Sequence, residues 1–248
     1  VPEARHEFVV PEARHELSCR RRAMSYFQIA WQWLTATQQW HGSDGIPVRL
    51  VQHLQYTGIA LGIALIIALP AGLAMGHLRR GGFVVVTVAN FGRALPTLGL
   101  LVLIFVLTSG SSASWLVPLV ALAIPPILVN TYEGVLGVDP NLTDAARGMG
   151  MTEWQVLRKV EIPVATPLIL LGLRISAIQV VATATIAAYI GLGGLGRYII
   201  DGLARDEYNV VAGGAAVIVL LALAIQALFT LLRWLIVPVG LRRQTQTS

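Results

Sequence analysis

Five runs of Leu, Ile, Val, Ala and Gly, each long enough to cross a bilayer, limit what this 248-residue chain can become. Hydrocarbon about 30 Å thick is crossed by about 20 mostly apolar residues in a helix. No water is present there to satisfy a free backbone N–H or C=O, so these runs must take a form that closes its hydrogen bonds internally. The runs cover roughly Leu54–Met75, Phe83–Leu107, Trp115–Tyr132, Pro167–Ile190 and Val210–Val237. Their apolar residues follow one another instead of alternating with polar ones, which argues against a half-buried strand or an amphipathic surface helix. With 55% of residues hydrophobic and only 12% charged, against about 25% charged in a soluble domain, no aqueous face remains for most of them. The fold class expected is all-α integral membrane.

The interruptions within the runs are specific. Gly58-x3-Gly62 and Gly72-x3-Gly76 in the first have a spacing that lets helices approach closely. The second is broken by Asn90, Arg93 and Pro96, and the third carries Pro118, Pro125 and Pro126. The fourth contains Arg174 and Gln179. A charge at the bilayer centre costs about 2.5–3.5 kcal/mol, so lipid-facing placement is excluded for these arginines. Either they snorkel to phosphate, or polar residues such as Arg93, Asn130 and Gln179 face a translocation route, with Pro96 a kink beside it.

Several function classes drop out. The net charge is +5, but 17 of 18 basic residues are arginine, and they sit in short clusters between apolar runs. A nucleic-acid reader shows a basic face with aromatics on a soluble fold, so no nucleic-acid partner is expected. One cysteine, Cys19, builds neither a disulfide nor a thiol zinc site, and the five histidines lack metal-ligand spacing. Neither a bound metal nor a cofactor is expected.

Residues 1–23 duplicate VPEARHE and end on Arg20, Arg21 and Arg22 before Met24. Such a polar repeat builds no core, and the segment reads as a disordered leader or as sequence upstream of a start at Met24. Residues 24–49 form an N-terminal segment whose Trp31, Trp33 and Trp40 suit a membrane–water boundary. An ordinary packed helix is the alternative. Residues 50–238 make the transmembrane domain and 239–248 a cytoplasmic tail.

Orientation follows from the basic residues of the short loops. Arg79–Arg80, Arg147, Arg158–Lys159 and Arg242–Arg243 fall on one side of five spans, while Ser109–Ser114 and Gly191–Asn209 fall on the other with no net excess of positive charge. The first side is therefore expected to be cytoplasmic, with the N-terminus outside and the C-terminus inside, in a prokaryotic inner membrane. The arginines at 20–22 disagree unless the leader is untranslated or Ser25–Trp40 is an extra span.

The longest cytoplasmic loop, Glu133–Thr166, reads as two short helices, one with Thr143 near its start and one capped by Thr152 and stopped by Pro163. Within it, Asp144-Ala145-Ala146-x3-Gly150-x9-Val160-x-Ile162-Pro163 resembles the E-A-A-x3-G-x9-I-x-L-P loop of binding-protein-dependent ABC importer permeases. Asp stands for Glu, Val for Ile and Ile for Leu. The resemblance implies a type I permease fold, five helices with a coupling loop, in which small Ala145 and Ala146 seat a helix in a cleft of an ATPase and Gly150 permits the turn after it. It extends over roughly Leu50–Val237, and Pro125-Pro126-Ile127-x2-Asn130-Thr131, Arg93-Ala94-Leu95-Pro96-Thr97-Leu98 and Gly191–Gly202 resemble the osmoprotectant branch, importing glycine betaine, choline, carnitine or proline.

The partners implied are two ATPase subunits, a second permease subunit, identical or paralogous, and an extracytoplasmic solute-binding protein. No G-x4-G-K-[ST] occurs in the chain, so ATP and Mg are expected on the ATPase and the chain itself is not expected to be an enzyme. The GLGGLG of Gly191–Gly196 fits a dinucleotide motif only in letters, since it follows a membrane run and not a strand. Importers of sulfonates and phosphonates carry similar glycines and remain the alternative. An ion-driven carrier, the more distant one, would show internal repeats and mid-membrane ionisable residues, and a membrane enzyme would show an acid, base or nucleophile in its spans.

Overall fold

A computed structural model describes residues 28–111 and 114–237. The leader and the tail lie outside the described residues, as does the side chain of Arg93. Among the described residues every regular element is helical. After helical residues 28–35 and a 3-10 turn at Thr37–Trp40 come α1 (Ile46–His77), α2 (Gly82–Ala94), α3 (Thr97–Leu107), α4 (Leu116–Leu136), α5 (Pro140–Gly148), α6 (Glu153–Ile190), α7 (Gly196–Ala204) and α8 (Tyr208–Ile236).

Four of these, α1, α4, α6 and α8, are long and apolar enough to cross a membrane, and α2 with α3 forms a fifth, bent pair. The pair turns through 91° at a short break. Pro96 explains the break, because it lacks an N–H and drives Leu95 out of helical geometry, to φ −74°, ψ 121°. α2 lies along α4: a Cβ on Gly82 would touch the Tyr132 hydroxyl, and one on Gly92 would overlap the Pro125 ring. Counted as one broken span, the pair brings the candidate spans to five.

Between helices in lipid there is no hydrophobic driving force, so small residues that let backbones approach closely do the packing. Ala60, Ala64 and Ala68 place one stripe of α1 against Leu119, Ala123 and Ile127 of α4 and Val180 and Ala184 of α6. One turn on, a Cβ at Gly72 would come within 2.8 Å of Thr131, and one at Gly76 within 2.7 Å of Val135. The second glycine pair of α1 thus makes the expected close approach. The first does not, since Cβ atoms at Gly58 and Gly62 would meet nothing within 4 Å.

Two local expectations are corrected. Pro163 does not stop a helix: α6 runs through it from Glu153 to Ile190, so the fourth span begins well before Pro167. Residues Leu157–Glu161 form a π turn immediately ahead of it, and that widened turn accommodates the proline ring and its missing hydrogen bond where a tight α turn would break. Nor does Thr143 open the loop helix. Asp139 is the N-cap of α5, its carboxylate accepting from Asn141 N at 2.9 Å, with Pro140 in the first turn.

Ahead of α1, Trp33 is buried with Ile46, Leu195, Tyr198 and Val217, its ring edge-on to Tyr198 at 5.1 Å. Trp31 and Trp40 point outward. The segment is thus packed through one tryptophan and exposed through two.

Candidate functional site

The bend between α2 and α3 leaves room beside α4 and α6. A cavity of about 390 Å³ lies there, walled by Gly92, Leu95, Thr97, Pro125, Pro126, Asn130, Ile175 and Gln179 among others. Two of the expected pathway residues, Asn130 and Gln179, therefore share one space. Pro96 forms the elbow between Leu95 and Thr97 of the wall, and Arg93 lies in α2 with its side chain outside the description. Asn130 is held in place by donating from Nδ2 to the Pro126 carbonyl at 2.8 Å. α6 passes close over it, because Gly172 presents no side chain: a Cβ there would lie 2.7 Å from both Asn130 Cβ and Pro126 O. Arg174 goes elsewhere, donating from Nε to Gln226 of α8 at 2.7 Å.

Among the described lining residues none is charged and none is aromatic. The polar side chains it presents are those of Thr97, Asn130 and Gln179.

At one end of the bundle stands the loop, which combines a short helix, a turn and an ion-pair chain. α5 buries Thr143 and Ala146 against the rest of the fold and exposes Leu142, Ala145 and Met149. Ala146 therefore faces inward, not toward a partner. Gly150 turns the chain at φ +85°, a region L side chains rarely adopt. Thr152 then starts α6 with a capping box: its hydroxyl accepts from Gln155 N, and Gln155 Oε1 accepts from Thr152 N at 2.9 Å.

Across this turn Arg147 donates to both oxygens of Glu153, at 2.9 and 3.1 Å, and to Asp144 at 3.0 Å. The Glu153 hydrogen bond, with Asp144 adding to it, raises the Arg147 guanidinium above its ordinary value, so the fork stays charged at any physiological pH. His77, at the end of α1, continues the chain. Its Nδ1 is 2.6 Å from buried Glu161 and its Nε2 3.4 Å from Glu153. Val160 and Ile162 are half-buried in α6, and Pro163 is exposed.

Sequence reasoning missed Leu142, Met149 and Trp154, all exposed at this end of the fold. A signal existed, because apolar residues seven positions apart on a short, otherwise polar helix share one face. Nothing announced the pairing of His77 with Glu161, 84 positions away.

At the opposite end, Gly191 and Gly194 take φ near +89° and +85°, and the loop folds back on α1, Gly194 N donating to Gln52 Oε1 at 3.0 Å. The glycines serve a tight turn beside His53 and Thr185.

Residues 58–238 match the family described as binding-protein-dependent transport system inner membrane component. Over 197 residues the chain is 36% identical to the glycine betaine/carnitine/choline transport system permease protein OpuCB of Bacillus subtilis (strain 168), covering 79% of this chain and 91% of that one. Identity to the carnitine transport permease protein OpuCB of Listeria monocytogenes is also 36% over 197 residues, with 79% and 89% coverage. Among solved structures, a chain of the MetNI methionine ABC transporter in an inward-facing conformation superposes with a TM-score of 0.68 over 78% of this chain and 96% of that one. At 24% identity this last likeness speaks for the fold alone.

Proposed function

The chain belongs to the binding-protein-dependent transport system inner membrane component family, and from that premise we propose that it is the permease subunit through which an ATP-driven importer passes an osmoprotectant. The cargo is a compact quaternary ammonium or zwitterionic solute such as glycine betaine, choline, carnitine or proline. One observation carries the substrate class: 36% identity, over most of both chains, to a permease named for glycine betaine, carnitine and choline. The cavity at Asn130 and Gln179 is compatible, having polar groups but no fixed charge among its described walls. Selection among solutes then rests with the solute-binding protein that delivers them.

In this reading, α5 and the Gly150 turn face a separate ATPase, which binds the ATP and Mg. Leu142, Ala145 and Met149 form the apolar face that enters its cleft, and Trp154 stands exposed beyond the turn. Movement of α5 passes through Arg147 to Glu153 at the head of α6, and through His77 to α1. α6 carries Ile175 and Gln179 at the cavity, so one continuous helix links the docking loop to the pathway. One chain supplies one side of a route, and a second permease subunit supplies the other.

Uptake competition tests the substrate class. Unlabelled glycine betaine, choline and carnitine are expected to suppress import of a labelled osmoprotectant in cells carrying the complete importer. Import of a sulfonate or phosphonate, with none of these competing, would move the chain to a neighbouring branch.

Orientation is tested separately. Met149 and Leu203 are both exposed at opposite ends, and with Cys19 replaced, a single cysteine at each is probed with an impermeant maleimide on intact cells. Labelling is expected at 203 and not at 149. The reverse pattern would invert the topology and remove the ATPase from the loop.

A further inference from the structure

At the end of the bundle away from the α5 loop, three elements enclose a further cavity of about 170 Å³. Phe105 lines it from the last turn of α3, Trp115 from the residue before α4, Ile190 from the end of α6 and Leu192 from the turn after it. Among its described lining residues none is charged and two are aromatic. We propose that this cavity binds the trimethylammonium head of a small solute between the rings of Phe105 and Trp115; the choice of solute rests on the osmoprotectant reading above.

Local structure holds both rings in place. α3 ends at Leu107, and Gly110 turns the chain at φ +72° while its N–H donates to the Phe105 carbonyl at 3.0 Å. A Cβ on Gly110 would stand 3.4 Å from Phe105 Cζ, so the ring lies beside a turn that brings no side chain against it. Tyr56 of α1 packs on Trp115 with ring centroids 5.0 Å apart and planes tilted by 56°. Leu101, Ala187 and Leu192 form the buried cluster on which Tyr56, Trp115 and Ile190 rest. In the same wall Ser114 is buried, its hydroxyl donating to the Ser111 carbonyl at 2.6 Å.

A quaternary ammonium has no N–H to donate, so hydroxyls and amides give it little that water does not. What attracts it is the negative face of an aromatic ring, within about 6 Å of the ring centroid, and its methyl groups also gain by leaving water. A strongly hydrated ion such as potassium would lose its water here and find no carboxylate among the described walls. The volume bears on size: sites that enclose a whole drug-sized ligand run to about 300–1,000 Å³, so this one takes a compact head and leaves the rest of the solute outside. Its walls also join the end of α6 to α3 and α4. Because α6 begins at the docking loop, movement of that helix against the other two changes the space between the rings.

The test uses the complete importer in vesicles of phosphatidylethanolamine and phosphatidylglycerol, lipids with no trimethylammonium headgroup, so that only a free solute can fill the cavity. The permease carries Cys19→Ser and Ser111→Cys, position 111 being exposed at the cavity, and alkylation of that cysteine by a maleimide is timed by mass spectrometry at constant ionic strength. Titrated to saturation, tetramethylammonium is expected to slow alkylation about tenfold, the free fraction left at ten times a dissociation constant. The uncharged analogue 3,3-dimethylbutanol, with a tert-butyl group in place of trimethylammonium, is expected to need about fivefold more for the same protection, since it lacks the attraction of charge to ring. Phe105→Leu keeps apolar bulk without the ring and is expected to weaken tetramethylammonium protection about fivefold, while Phe105→Tyr retains it. The comparison of the two probes needs no change at Phe105, so a poorly folded Phe105→Leu does not block the test. Three results would each overturn the proposal: no protection by tetramethylammonium, equal protection by the uncharged analogue, or unchanged protection in a folded Phe105→Leu. Protection in an importer that carries no osmoprotectant would support the site and overturn the substrate reading. Osmoprotectant import without protection would do the reverse.

Discussion

Gly172→Leu is expected to cut the amount of folded permease in the membrane at least tenfold, and to abolish uptake by what remains. At this position α6 crosses α4 directly over the elements that shape the cavity. A Cβ alone would stand 2.7 Å from Asn130 Cβ and 2.7 Å from the Pro126 carbonyl oxygen, and the second of these is backbone that cannot rotate away. Leucine adds three more carbons, so the helices must separate. Overpacking of this kind costs about 1–3 kcal/mol and more where the backbone has to shift, and a folded protein has only about 5–15 kcal/mol to lose. Asn130 would also move with α4, opening the wall in which it is held. Gly58→Leu is the matched control, since a Cβ there meets nothing within 4 Å. Quantifying both variants in membranes by immunoblot, with uptake normalised to the amount present, separates folding from transport. Wild-type abundance and uptake for Gly172→Leu would show that α4 and α6 are not closely apposed in the membrane.

That contrast also shows where sequence reading stops. The spans were legible because hydrocarbon imposes one rule, a long apolar run in a helix, and composition reports it directly. The break at Pro96 was legible for the same local reason. Gly58-x3-Gly62 and Gly72-x3-Gly76 have identical spacing, yet only the second pair meets Thr131 and Val135, and which face of α1 turns inward depends on partners that spacing does not name. Pro163 illustrates the opposite failure: the local rule says stop, and the π turn before it overrides the rule. In the loop, the motif identified a turn at Gly150 and a short helix, but the motif treats Ala145 and Ala146 alike, whereas one residue of helical phase buries the second and exposes the first. The chain from Arg147 through Glu153 and His77 to Glu161 brings together residues from α5, α6 and α1, and no pattern within any one segment encodes it.

Gly150→Val is expected to leave insertion intact and to reduce binding-protein-stimulated ATP hydrolysis and uptake together, by about tenfold. Gly150 sits at φ +85° with open space around a would-be Cβ, so nothing inside the chain clashes and the bundle itself is undisturbed. The cost is in the backbone: a left-handed conformation is worth about 1–2 kcal/mol against an L residue, most for a β-branched one, and 1.4 kcal/mol is a factor of ten. The turn would relax, α5 would rotate away from the head of α6, and the Arg147 fork on Glu153 would be strained or lost. In the proposed coupling role, a face displaced in this way would transmit closure poorly even where it still binds. Gly150→Asn distinguishes backbone from contact, because asparagine tolerates the left-handed region while adding a side chain of similar bulk, and it is expected to restore most of the coupling. The measurement reconstitutes permease, ATPase and solute-binding protein, checks assembly by pull-down, and follows ATP turnover with and without loaded binding protein. If Gly150→Val assembles and stimulates hydrolysis as the wild type does, the turn carries no coupling. If Gly150→Asn fails as badly as Gly150→Val, bulk at the ATPase contact, and not the left-handed turn, is what the glycine serves.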